Sequence, residues 1–275
     1  MDFSTVLDSQ INTHAGVDAT ISAGTLITAS ATANAKGAWA PLIASTARPA
    51  NWLLISVGAA ASATADSLID IGIGAASAEQ VLISNLLFTI VGSNRELVHT
   101  FLLPIAIPSS ARIAARVQSS VVSHLVRVGA RLFANGLSHG APLGRVETVG
   151  ADTATSGGTL IDPGATANTK GAWAVLTSAS AKSWKALYVA FGNRLKTTRG
   201  TQRWSVDIGI STGPEQVIVP DLFLGSSSAN TALLAPPVGL IPVSVPAGAR
   251  VSARAASTDA TAGTREIDVV VYGVN

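Results

Sequence analysis

Four carboxylates recur in pairs along the 275-residue chain. Asp70 and Asp207 each open Asp-Ile-Gly-Ile, and Glu79 and Glu215 each open Glu-Gln-Val. Two carboxyl groups roughly 5 to 9.5 Å apart could cleave a glycosidic bond, one as acid and the other as nucleophile or base. Duplicated carboxylates are also expected where they hold loops through hydrogen bonds to backbone, and the pattern favours that reading. The histidines, His14, His99, His124 and His139, lack the close spacing of a metal platform, and no cysteine supplies a thiolate. No nucleophile elbow, Walker-type phosphate loop or dinucleotide fingerprint opens a helix. No catalytic residue, metal site or cofactor is therefore expected.

Basic and aromatic side chains are the remaining candidates. Arg112 and Arg116 match Arg250 and Arg254 in position. Without interleaved aromatics they read as solvated surface or as contacts to an acidic protein neighbour, not as a nucleic-acid groove. Trp52 and Trp184, which read as positional counterparts, and Tyr188 are candidates for a glycan platform or an interface, should they be exposed. Trp39 and Trp173 read as core anchors with their indole N–H groups satisfied locally. They follow Asn34-Ala35-Lys36-Gly37 and Asn168-Thr169-Lys170-Gly171, which read as turns with glycine at positive φ.

These residues recur because the chain contains itself twice. Gly24 to Ala40 and Gly158 to Ala174 agree at 13 of 17 positions without a gap. Later matches keep their order while the offset drifts from 134 to 138, ending with Pro108 and Ala111-Arg112 against Pro246 and Ala249-Arg250. Each copy is long enough to bury its own core. The expected organisation is an N-terminal arm over 1–20, a first domain over 21–135, a linker over 136–156 and a second domain over 157–275.

Within each copy the apolar period is two. Ile69, Ile71 and Ile73 alternate with Asp70 and Gly72, as Trp204, Val206, Ile208 and Ile210 do with Ser205, Asp207 and Gly209. Turn residues divide the first copy into about eight short segments. The fold class is thus all-β: two tandem β-sandwich, jelly-roll-like domains of about eight strands each. Alanine would favour helix, but Gly and Pro interrupt every stretch where a helical stripe could run to three turns.

Composition narrows the function. Charged residues are 12% of the chain, net charge is +2, and no apolar run is long enough for a membrane-spanning helix, so neither nucleic acid nor membrane insertion is indicated. The start of the chain carries Asp2, Asp8 and Asp18 and does not read as a secretory signal. The paired Ala-Thr-Ala-Asn-(Ala/Thr)-Lys-Gly-Ala-Trp segments at Ala31 to Trp39 and Ala165 to Trp173, with Asp-Ile-Gly-Ile, Glu-Gln-Val and Pro246 to Val251, resemble virion structural proteins of tailed bacteriophages. The resemblance implies a non-enzymatic building block located in the virion and assembled in the host cytoplasm, with other virion proteins as partners. It leaves open decoration, collar, baseplate or fibre. A homo-oligomer, a trimer being one such form, docked through the N-terminal arm is expected. The alternative is a module that binds a host surface glycan or receptor.

Overall fold

Apolar alternation becomes strand wherever the sequence shows it, and every regular element among the described residues is a strand. The computed structural model describes residues 12–15, 17–18, 23–60, 64–90, 98–133, 145–193, 201–211, 213–226 and 239–275. In the first copy β1 (Asn12–Ala15) and β2 (Val17–Asp18) precede eight further strands: β3 (Ala23–Thr28), β4 (Ala40–Ile43), β5 (Trp52–Ala59), β6 (Ala65–Ile73), β7 (Gln80–Ile90), β8 (Val98–Leu103), β9 (Ile113–Ser119) and β10 (Leu125–Phe133). In the second, β11 (Val146–Val149) and β12 (Ala151–Asp152) precede β13 (Gly157–Ile161), β14 (Ala174–Thr177), β15 (Trp184–Gly192), β16 (Gln202–Ser211), β17 (Gln216–Ser226), β18 (Ile241–Val245), β19 (Arg250–Ser257) and β20 (Ile267–Val274).

Each set of eight forms two antiparallel sheets. One runs β3-β10-β5-β8 in the first copy and β13-β20-β15-β18 in the second; the other runs β4-β9-β6-β7 and β14-β19-β16-β17. The first strand thus pairs with the last, the second with the seventh, and so on inward, which is the jelly roll. The expected pair of sandwiches is what the chain adopts. Ile55, Val57, Ile69, Ile71, Val117 and Val128 fill the first core, and Val189, Val206, Ile208, Val251, Val269 and Val271 the second.

The short leading strands belong to the repeat. β1 pairs with the far end of β10 and β2 with the start of β3, as β11 pairs with β20 and β12 with β13. Residues 12–15 and 17–18 of the segment expected as an N-terminal arm are sheet strands, whereas 1–11 lie outside the described residues. The segment expected as a linker divides likewise, since 134–144 lie outside and β11 and β12 are sheet.

The second sandwich packs its β13-β20-β15-β18 sheet, outer face first, against the side of the first where edge strands β7 and β8 lie. Ala190, Val270, Tyr272 and Val274 point away from their own core and join the first one. The Tyr272 hydroxyl accepts from Leu87 N–H at 2.7 Å and donates to Asn85 carbonyl oxygen at 3.0 Å, and Tyr188 Oη donates to Thr100 carbonyl oxygen at 2.9 Å. Tyr272 shares edge-on packing with Phe101, ring centres 5.9 Å apart. Thr148 Oγ1 donates to Ser84 carbonyl oxygen and Ser156 Oγ to Asn34 Oδ1.

Candidate functional site

The duplicated polar residues converge on the outer face of the sheets containing β6 and β16. A bulge is the starting point. Between Ile69↔Leu86 and Ile71↔Ile83 the strand β7 spends one residue more than β6, and β17 does the same between Val206↔Leu222 and Ile208↔Val219. The extra residue sits at positive φ, 57° for Asn85 and 51° for Asp221. Its N–H turns onto the facing carboxylate, Asp70 at 2.9 Å and Asp207 at 3.0 Å.

That carboxylate collects two cations as well. Asp70 receives Lys36 Nζ at 2.7 Å and Arg116 Nε at 2.9 Å, and Asp207 receives Lys170 Nζ at 2.6 Å and Arg254 Nε at 2.9 Å. Burial would raise the Asp207 carboxyl, but hydrogen bonds from Lys170, the Asp221 N–H and Arg254 outweigh it and hold it below the usual carboxylate range. Burial draws the Lys36 ammonium below the ordinary lysine range, and Asp70 partly restores it. Both oxygens of each aspartate are engaged, so the geometry is that of an anchor tying a loop, a bulge and a strand together.

Each arginine also covers a tryptophan. Arg116 lies 4.5 Å over the Trp39 ring and Arg254 4.5 Å over that of Trp173. Beneath the rings are Gly72 and Gly209, where a Cβ would fall 2.7 and 2.8 Å from the indole. The glycine of Asp-Ile-Gly-Ile is thus the seat of the tryptophan. Trp39 and Trp173 lie against the outer sheet face, which corrects their reading as core anchors. The preceding turns also differ in mechanism from the expectation. Positive φ falls on Asn34 and Asn168, at 58° and 59°. Gly37 and Gly171 serve close approach, because a Cβ there would meet the carbonyl oxygens of Thr28 and Asp162 at 2.7 and 2.6 Å.

The other candidates separate. Arg112 pairs with Glu79 and Arg250 with Glu215, each at 2.5 Å, next to the aspartate anchors on the same outer faces. Trp184 is 2% exposed and donates its indole N–H to Glu147 Oε2 at 2.8 Å. Tyr188 lies in the contact between sandwiches. Trp52 is half-buried on the outer face of its sheet. Trp52 and Trp184 are not positional counterparts. Phe133 pairs with Trp52 and its equivalent Val274 with Ala186, so Trp52 matches Ala186 and Trp184 matches Ala50. Sequence reasoning overlooked Tyr272, Leu87 and Phe223. For the two sealed ones the signal was lost alternation: Val269-Val270-Val271-Tyr272 and Leu86-Leu87-Phe88 are unbroken apolar runs, as strands covered on both faces should be.

No family model and no curated protein matches the chain. Among solved structures, PNGF-II is similar at 9% identity and TM-score 0.37, covering 99% of this chain and 67% of that one. The tandem CBM22 domains of Paenibacillus barcinonensis Xyn10C show 12% identity and TM-score 0.24 over 86% and 82% of the two chains. The Macrobrachium rosenbergii nodavirus structure shows 6% identity and TM-score 0.23 over 97% and 89%.

Proposed function

We propose that this chain is a non-enzymatic structural component of a tailed-phage virion, which assembles through its sandwich faces and its N-terminal segment. One observation carries the assembly reading: an outer sheet face of the second sandwich already serves as a protein-binding surface, sealed on the first by Tyr272, Val270 and Val274. The duplicated carboxylates support the non-enzymatic part, because each aspartate spends both oxygens on Lys, Arg and backbone of its own sandwich. A chain with only 12% charged residues has little charge solvation to lose on entering an assembly. The phage assignment is supported by the motif resemblance. Immunogold labelling of purified particles tests it, with deletion of residues 1–11 as the second arm. Labelled particles and loss of incorporation on deletion are expected; particles free of label would refute the virion role.

The glycan alternative rests on fewer residues, since Trp184 is buried and Tyr188 engaged. Trp52 is the remaining platform. Glycan-array binding that Trp52→Ala abolishes would favour it.

A further inference from the structure

The contact between the sandwiches is heterologous: the outer face of one β-sheet meets the edge-strand side of the next, so the two partners use different surfaces. In a tandem duplication each surface exists twice, and among the described residues one of each is left uncovered. Strand register identifies them. Leu87, sealed at 0% exposure beneath Tyr272, corresponds to Phe223, which is 66% exposed. Asn85, whose carbonyl oxygen receives the Tyr272 hydroxyl, corresponds to Asp221, which pairs with Lys170 yet keeps its side chain 60% exposed. On the other side Tyr188, Tyr272 and Val274 correspond to Leu54, Arg131 and Phe133, which with Trp52 form a half-exposed outer face of the first sandwich.

We infer that these two leftover surfaces bind each other between chains: the β7-like edge at Phe223 of one copy receives the Trp52, Leu54, Arg131 and Phe133 face of a second copy of the same chain. Continuity identifies the occupant, since the interface repeats the one within the chain. Charge identifies it too. Register equivalence places Arg131 where Tyr272 stands and the Asp221 backbone carbonyl where that of Asn85 stands, so a guanidinium would meet a carbonyl oxygen beside the Asp221 carboxylate, which Lys170 and Ser205 hold on one side while its side chain stays 60% exposed. The large ring of Phe223 takes the position of Leu87. Head-to-tail contacts of this kind close into rings or run on as filaments. The inference deepens the assembly reading and rests on it only in requiring that the chain associate.

Sedimentation velocity of the purified full chain over a concentration series tests it, with circular dichroism confirming the fold of every variant. Assemblies larger than one chain are expected. Phe223→Lys and Arg131→Glu should each raise the concentration of half-assembly by roughly thirtyfold or more, the scale of an interface hot spot. Val122→Lys, which changes another exposed apolar side chain in the β9–β10 turn, should leave it unchanged. Combining Arg131→Glu with Asp221→Arg should recover much of the loss. A wild-type chain that stays monomeric throughout, or an assembly indifferent to both Phe223→Lys and Arg131→Glu, overturns the inference. Particle labelling is read separately: a chain that self-associates but is missing from particles defeats the virion reading alone.

Discussion

Leu87 and Phe223 occupy the same place on the same bulged edge strand, yet one is sealed and the other stands 66% exposed. The strand itself does not make the difference; the neighbouring sandwich does. A second sandwich covers the first, and among the described residues nothing repeats that for the second. The cores show the complementary lesson. At one pair of sheet positions the first copy has Ala50 and Leu132 and the second has Trp184 and Gly273. A Cβ at Gly273 would overlap the Trp184 ring. Volume was exchanged across the pair while the fold was kept, as close packing demands.

The largest effect should come from undoing that exchange. Gly273→Leu drives a side chain into the Trp184 indole and should cost about 3 kcal/mol or more, while Trp184→Ala leaves a cavity costing about 3 to 5 kcal/mol. The double variant recreates the first copy's combination and should be more stable than the sum of the two losses implies. Additive losses in a denaturant double-mutant cycle would break the equivalence of the two cores.

The aspartate anchors sharpen the comparison by their sameness. Asp70→Ala and Asp207→Ala each strand a partly buried Lys and Arg and should cost about 2 to 3 kcal/mol, less than a fully buried pair because water reaches the cations. Costs differing by more than about 1 kcal/mol would show that the copies use the anchor differently.

Acid should separate the sandwiches. Burial lowers the half-buried His99 from its ordinary 6.5 to about 4, with a Leu87 backbone hydrogen bond opposing the shift. The unfolded chain therefore binds a proton that the folded chain refuses between those values. Stability is full above about pH 6.5 and declines as pH falls toward 4. All four histidines precede residue 140, so this loss belongs to the first sandwich. Asp162 and Asp207 are held below the usual carboxylate range, so the second sandwich keeps their contribution until pH falls below that range and through their folded values. Hydrogen exchange at pH 7 and pH 5 should show the first sandwich weakening more, and His99→Gln should flatten the decline.

The smallest effect concerns a turn. Ser110 holds φ 60° where its counterpart Gly248 holds 82°. A left-handed non-glycine residue costs about 1 to 2 kcal/mol, and glycine returns part of that as chain entropy, so Ser110→Gly should stabilise by about 0.5 to 1 kcal/mol. Thermal melting measures it.

Strand positions and the duplication were legible because alternation and turn residues are local signals: the eight segments of the first copy fall on β3 to β10. The outward placement of Arg112, Arg116, Asp70 and their counterparts was legible for the same reason. Their partners were not, because Lys36 reaches Asp70 only after a loop folds over the sheet, and no spacing encodes that. Trp39 reads wrongly as core because its apolar surface is covered by Gly72 and an arginine, a seat that hydrophobicity alone does not reveal.

The head-to-tail docking of the second sandwich on the first is tested most directly by amide hydrogen exchange on the chain diluted to single copies. Leu87 N–H points off an edge strand and is held by the Tyr272 hydroxyl at 2.7 Å, so it should exchange slowly while the Phe223 N–H exchanges fast. Tyr272→Phe should release Leu87 toward the Phe223 rate. Equal rates at Leu87 and Phe223 in the unsubstituted chain would contradict the account.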